Sequence, residues 1–257
     1  MNSRAVQSWE RFVLPLLTAA AIVATWHVAV IVTKTEIFPS PLSVLNGIGE
    51  LFRRGLFWGY LRDSLVRVAS GYLLGVVLGV PVGMMLGFSK NLSSAINPLI
   101  QIFRPISPLA WMPLAVIWFG VSNAAPIFLI FLASFFPIVV STANSVRNIS
   151  PVYRQVGRNF GLTDFQTFRR VLLPAILPRV LTGLRLALGI AWIVLVAAEM
   201  IAVDSGLGYL IIDARNAGKR YDLVVGGMIL IGVIGLLLDI LVRRLEKLPS
   251  VRWGFLQ

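Results

Sequence analysis

Hydrophobic residues along this chain gather into long blocks divided by short polar stretches. A helix needs roughly 20 mostly apolar residues to cross about 30 Å of hydrocarbon. Six blocks are expected to cross: about Phe12 to Thr33, Val68 to Phe88, Asn97 to Val121, Ala125 to Ala143, Ile176 to Val203 and Leu223 to Leu241. The first is too long for the apolar core of a cleaved signal and is followed by further spans, so it is expected to be retained. Between the first two, Lys34 to Arg67 is mixed in character. Pro39-Ser40-Pro41 predicts an irregular entry, and Leu42 to Phe52 then has the amphipathic pattern of a helix lying on a surface.

Two blocks carry internal punctuation. In the second, Gly71, Gly75, Gly79, Gly83 and Gly87 recur at every fourth position, which makes a smooth groove for close approach of another helix. In the third, Pro98, Pro105, Pro108 and Pro113 forbid one straight helix. Backbone broken at membrane depth must be met by protein or water, so a lined cavity, and with it a pathway, is expected there.

The stretch from Arg147 to Arg179 is where arginines crowd, between two apolar blocks that hold almost none. Ser150-Pro151 is a helix start, since serine can cap free amides and proline at the first position loses no hydrogen bond. Val152, Val156 and Phe160 share one face, Arg154 and Arg158 lie roughly opposite, and Gly161 supplies the left-handed residue that ends the helix. Thr163 to Gln166 has the form of a capping box for a second helix, with Phe165, Phe168, Val171 and Leu172 as its buried face and Pro174 as its stop. A helix-Gly-helix with two apolar faces needs a surface for each, and its own membrane helices can supply only one.

Composition agrees with a polytopic all-α membrane protein: the 257 residues are 57% hydrophobic and 13% charged, with no cysteine. Without thiols there is no disulfide framework or thiolate metal site, and His27 alone offers little for imidazole chemistry. The formal charge of +12 is a poor argument for nucleic acid, because Lys and Arg are what hold cytoplasmic loops on their side. With the N-terminus inside, inner segments hold thirteen basic residues and outer segments, including Arg62 and Arg67, hold eight. The arginine-rich element is therefore expected in the cytoplasm. Its ends run directly into apolar blocks, so its second helix could hardly reach the floor of a DNA groove, and docking to a soluble protein fits better. Arg104 and Arg185 lie in or beside apolar blocks, where an unpaired arginine costs about 2.5–3.5 kcal/mol, so they should face protein, water or headgroups.

No G-x-x-x-x-G-K-[ST] phosphate loop, H-E-x-x-H or nucleophile elbow occurs, so the chain is expected to be no enzyme and to bind no cofactor itself. Leu236-Leu237-Leu238-Asp239 reads as the polar end of the last span.

From Gly161, nine residues lead to Val171 and then Leu173-Pro174. This resembles the EAA loop, G-x9-I-x-L-P, of membrane subunits of binding-protein-dependent ABC importers. The family's Glu-Ala-Ala is here Gln155-Val156-Gly157, which removes the carboxylate. Arg104-Pro105-Ile106-Ser107-Pro108-Leu109-Ala110-Trp111-Met112-Pro113, with Ile117-Trp118-Phe119-Gly120, Thr182-Gly183-Leu184-Arg185, Ala197-Ala198-Glu199-Met200 and Phe38-Pro39-Ser40-Pro41, is similar to taurine, aliphatic sulfonate and nitrate permeases along nearly the whole chain.

The resemblance implies a type I, MetI-like permease fold of six transmembrane helices in one domain, in the bacterial inner membrane. It implies pairing with a second permease copy and delivery of a small anion by a periplasmic or lipoprotein binding protein. It also implies that Gln155, Val156, Gly157, Gly161, Asp164, Leu173 and Pro174, within a coupling loop at 147–179, dock on separate subunits that hold ATP and magnesium. The pathway is expected along Arg104, Ser107, Trp111, Arg185 and Glu199. Arg185 and Glu199 stand about 21 Å apart on one helix face, and the rival expectation is that they mark the two membrane interfaces. An ion-gradient carrier or channel is the alternative from another class, and a membrane-anchored regulatory protein a third.

Overall fold

A computed structural model describes residues 3–33 and 37–246. Lys34, Lys247 and Arg252 lie outside the described residues, as do the side chains of Arg4, Arg11 and Arg154. In chain order the helices are α1 (Ser3–Thr33), α2 (Pro41–Arg53), α3 (Leu56–Phe88), α4 (Lys90–Phe103), α5 (Met112–Phe119) and α6 (Ala124–Arg147). There follow α7 (Pro151–Asn159), α8 (Asp164–Thr167), α9 (Leu173–Ala202), α10 (Leu207–Gly218) and α11 (Tyr221–Glu246). Among the described residues five helices are long and apolar enough to cross a membrane, and the bent pair Lys90–Phe103 and Pro108–Phe119, turned by 82°, accounts for a sixth, broken span.

Each proline of the broken span acts differently. Pro98 sits inside α4 without ending it. Pro105 and Pro108 fall in the break, where a 3-10 turn (Pro108–Trp111) follows with Ala110 N donating to Ser107 O at 2.9 Å. Pro113 opens α5, where its missing N–H costs nothing.

The residues form two compact units, Met1–Trp58 with Leu210–Leu230, and Gly59–Tyr209 with Ile231–Gln257. In the first, the Ser40 side chain caps α2 by accepting from Ser43 N at 3.2 Å, as an entry at Pro39-Ser40-Pro41 requires. Val44, Gly47 and Leu51 form the buried face of α2, and Ile48 lies against Gly226 of α11. Arg220 donates to Glu50 at 2.7 Å and to Asp222 at 2.8 Å. The hydrogen bond from Arg220 holds the Glu50 carboxyl below the usual carboxylate range. The short helix α10 had no separate signature in the hydrophobic pattern.

In the second unit α6 and α9 form the centre. Small buried residues on both, among them Ala125, Ala133, Ala191 and Ala198, let the two backbones approach closely. The glycine groove of α3 receives α6 residue by residue. A Cβ at Gly79 would lie 2.9 Å from Ile138 Cγ2, one at Gly83 would lie 2.7 Å from Thr142 Cβ, and Gly71, Gly75 and Gly87 meet Ile130, Ser134 and Val146 in the same register. Interval four on one helix thus meets interval four on the other.

Helix α3 begins well before the expected Val68, at Leu56. The charged residues Arg62, Asp63 and Arg67 end the apolar pattern but not the helix. Arg67, assigned to an outer segment by charge counting, is 3% exposed inside this unit.

Candidate functional site

The arginine-rich element folds as two helices about Gly161, whose φ of +63° is the left-handed turn expected there. Leu162 N bonds to Gly157 O and Gly161 N to Arg158 O, each at 3.0 Å, which satisfies carbonyls at the end of α7. Pro151 opens α7, but the Ser150 side chain makes no capping bond. The capping box is present: Gln166 N donates to Thr163 Oγ1 at 3.3 Å and Thr163 N to Gln166 Oε1 at 3.1 Å. Asp164 adds a negative charge to the first turn of α8, where the helix dipole favours it. Gly157 is buried, and a Cβ there would lie 2.5 Å from Thr167 Oγ1, so the small residue lets α7 press against the second helix.

The two apolar faces part company. Phe168 packs edge-on against Phe88 at the end of α3, with centroids 5.7 Å apart, and Leu173 joins the cluster of Val146, Ile176 and Val180. Val152, Phe160 and Phe165 point away and are 58%, 77% and 70% exposed, and Gln155 is exposed beside them.

Pro174 does not stop the second helix. Asp164–Ala202 is continuous over 39 residues. A π-helical turn at Phe168–Leu172 precedes Leu173, whose N–H reaches back to Phe168 O. Proline removes an N–H and crowds the carbonyl of the preceding turn, and the wider π turn accommodates both.

The expected pathway residues occupy three places. Arg104, at the C-terminus of α4, borders a cavity of about 720 Å³ whose other walls come from α6 and α9. Ser107 is exposed in the break, and Trp111, half-buried, packs on the Met112–Leu129–Val194 cluster. Arg185 turns to α11 instead, bonding Asp239 Oδ1 at 2.5 Å and Oδ2 at 3.2 Å, with Glu246 at 3.5 Å. Asp239 is thus the partner of an intramembrane arginine.

Glu199 is fully buried. Its carboxylate accepts from Arg67 Nη1 at 2.7 Å, from Ser64 Oγ at 2.8 and 2.9 Å, and from Gly208 N at 3.0 Å. Arg67 also donates to Asn123 Oδ1 at 2.8 Å, Ser205 O at 2.7 Å and Ser205 Oγ at 2.6 Å. Gly206, at φ +105°, turns the chain so that Leu207 N can reach Ser64 Oγ at 2.9 Å. The cluster knots α3, the approach to α6, the end of α9 and the start of α10. Among the described residues the hydrogen-bond partners of Glu199 do not include Arg104. Sequence reasoning missed Arg67, Ser64, Asn123 and Ser205, because Ser64, Arg67 and Asn123 stand far from Glu199 along the chain and leave no local spacing to read.

Several spans with close-packed small residues, one broken span beside an arginine-lined cavity and an arginine-rich hairpin continuous with a spanning helix give the chain the build of a multi-pass membrane permease. The chain belongs to the family described as binding-protein-dependent transport system inner membrane component, which matches residues 75–250. Among its relatives, SsuC of Bacillus subtilis, whose name assigns it provisionally to aliphatic sulfonates, is 38% identical over 93% of this chain and 86% of its own length. The nitrate import permease protein NrtB of Leptolyngbya laminosa is 40% identical over 74% of this chain and 67% of its own. A solved inward-facing MetNI methionine ABC transporter shares the fold, with a TM-score of 0.65 at 20% identity over 75% of this chain and 94% of that one.

Proposed function

We propose that this chain carries a small anion of the nitrate, sulfonate or taurine class across the inner membrane by alternating access, as one of two permease copies driven by separate ATP-hydrolysing subunits and supplied by a binding protein. The observation that carries the coupling part is the division of faces in the hairpin. One face anchors on α3 and the α6–α9 cluster, while Val152, Phe160 and Phe165 stay exposed on an element that two backbone bonds, a capping box and the Gly157–Thr167 contact make rigid. A stiff element with an uncovered aromatic face suits a cleft in a cytoplasmic ATPase. Gln155, Val156 and Asp164 border that face, Gly157 and Gly161 set its shape, and Leu173-Pro174 joins it to α9.

Motion of the hairpin passes directly into the membrane, because α8, the π turn and α9 form one rod. Closure of the ATPases pulls the hairpins together, and the rods follow as rigid bodies, exposing the cavity to one side and then the other. Arg104, with Ser107 and Trp111 in the broken span, lies along the route. Arg185 and Glu199 serve as structural charges, since each has its carboxylate or guanidinium partner in place. That saturation also speaks against the ion-gradient carrier, which needs a carboxylate free to exchange its cation or proton.

The test is uptake of labelled nitrate and taurine into vesicles holding the permease, its ATPase and its binding protein. Uptake that requires internal ATP and the binding protein is expected, and uptake driven by an ion gradient alone would refute the reading. Phe165→Asp should abolish coupling to the ATPase while leaving the permease inserted.

A further inference from the structure

Four arginines of the second unit, Arg67, Arg104, Arg179 and Arg185, differ in their partners. Arg67 and Arg185 have carboxylate partners, at 2.7 and 2.5 Å. Arg104 and Arg179 have none among the described residues, and both border the same cavity. Among the described residues no carboxylate lines it. Phe103 stacks on Phe136 with ring centroids 6.3 Å apart, which puts Arg104 at the Pro137 end of the cavity. Arg179 donates to Asn148 O at 3.0 Å and so stands at the other end. Pro137 and Asn148 are eleven residues apart on the sequence, about 16 Å along a helix. Ser141, Asn144 and Thr182 lie between the two arginines, while Val140, Leu186 and Ile190 supply apolar wall.

We propose that this cavity is an oxyanion subsite with two stations, Arg104 and Arg179, that takes a small weakly hydrated monoanion such as nitrate or an alkyl sulfonate. The proposal rests on the reading that the pathway passes Arg104. A guanidinium presents a planar fork that matches two oxygens of a nitrate or sulfonate group. The side chain of Asn144, exposed to the cavity, offers a further amide donor between the stations. Apolar walls lower the local dielectric, which strengthens the charge contact yet penalises a strongly hydrated dianion such as sulfate. They also accommodate the short alkyl part of a sulfonate. With an arginine at each end, an anion leaving one station meets the next before it meets open water.

The test uses the native absence of cysteine. In full-length Asn144→Cys, purified with its accompanying ATPase subunits in lipid nanodiscs, the thiol is modified by an anionic sulfonate-bearing methanethiosulfonate and, separately, by its cationic trimethylammonium counterpart. The ratio of the two rates is normalised to that of a free thiol. A cavity with two unpaired cations should favour the anionic reagent by about tenfold or more. Arg104→Gln or Arg179→Gln should each lower that preference several-fold, Arg104→Lys should keep it, and millimolar nitrate or ethanesulfonate should slow the anionic reagent more than sulfate does. No anionic preference, or a preference indifferent to both glutamine variants, overturns the subsite. The ratio is read without ATP or binding protein, so its failure leaves the importer reading to be judged separately by the uptake assay.

Discussion

Replacing Glu199 by Gln should destabilise the permease more than any surface substitution. The carboxylate is fully buried and receives Arg67, Ser64 and the Gly208 amide at 2.7–3.0 Å. Glutamine keeps the shape but removes the charge, and its amide nitrogen turns two hydrogens toward groups that are themselves donors. Removing one partner of a buried ion pair costs about 3–5 kcal/mol, because the other charge remains in low dielectric. Arg67 keeps Asn123 and Ser205 as acceptors, so the loss should fall near the lower end, about 3 kcal/mol. Arg67→Met should cost a similar amount by stranding Glu199. The double variant Arg67→Met/Glu199→Gln should cost less than the sum, with a coupling energy of about 2–3 kcal/mol. Reversible unfolding in mixed micelles, followed by tryptophan fluorescence, gives all three values. A Glu199→Gln cost under about 1 kcal/mol, or strict additivity in the cycle, would refute the view that this pair organises the junction of four segments.

Gly161→Val should strain the left-handed turn by about 1–2 kcal/mol and misalign α7 with α8; uptake and cargo-stimulated ATP hydrolysis should fall to background while membrane insertion persists, and normal stimulated hydrolysis would disprove the coupling role. Gly79→Leu should force α6 away from α3, since even a Cβ would sit 2.9 Å from Ile138, and an unchanged melting temperature in detergent would show that the groove tolerates bulk. The depressed pKa of Glu50 means that its bond to Arg220 contributes fully above the ordinary carboxyl value of 4.5 and is lost as pH falls through the lower folded value. Wild type should therefore be more stable than Glu50→Gln at neutral pH and converge with it in acid below that value, as read by melting temperature against pH; a gap that widened in acid would reverse the sign.

Local pattern alone determined much of this protein. Run length and hydropathy marked the spans, because a segment in lipid must satisfy its own backbone and so must be helical whatever surrounds it. The helix-Gly-helix was legible for a similar reason: Pro151, Gly161 and the Thr163–Gln166 box are chemistry within a few residues of one another. The glycine interval on α3 foretold close packing, though only the folded chain named α6 as the partner. What depended on tertiary structure was the fate of charges. Arg67 resembled a loop residue and proved to be buried, Glu199 and Arg185 shared a helix face and found different partners, and Pro174 was carried through by a π turn. Each outcome depends on which distant side chain supplies an opposite charge or an acceptor at hydrogen-bond distance. Hydropathy scores a residue as if alone in its medium, whereas the cost of a buried charge is set by its neighbours, and only the fold brings residues 64, 67, 123, 199 and 205 together.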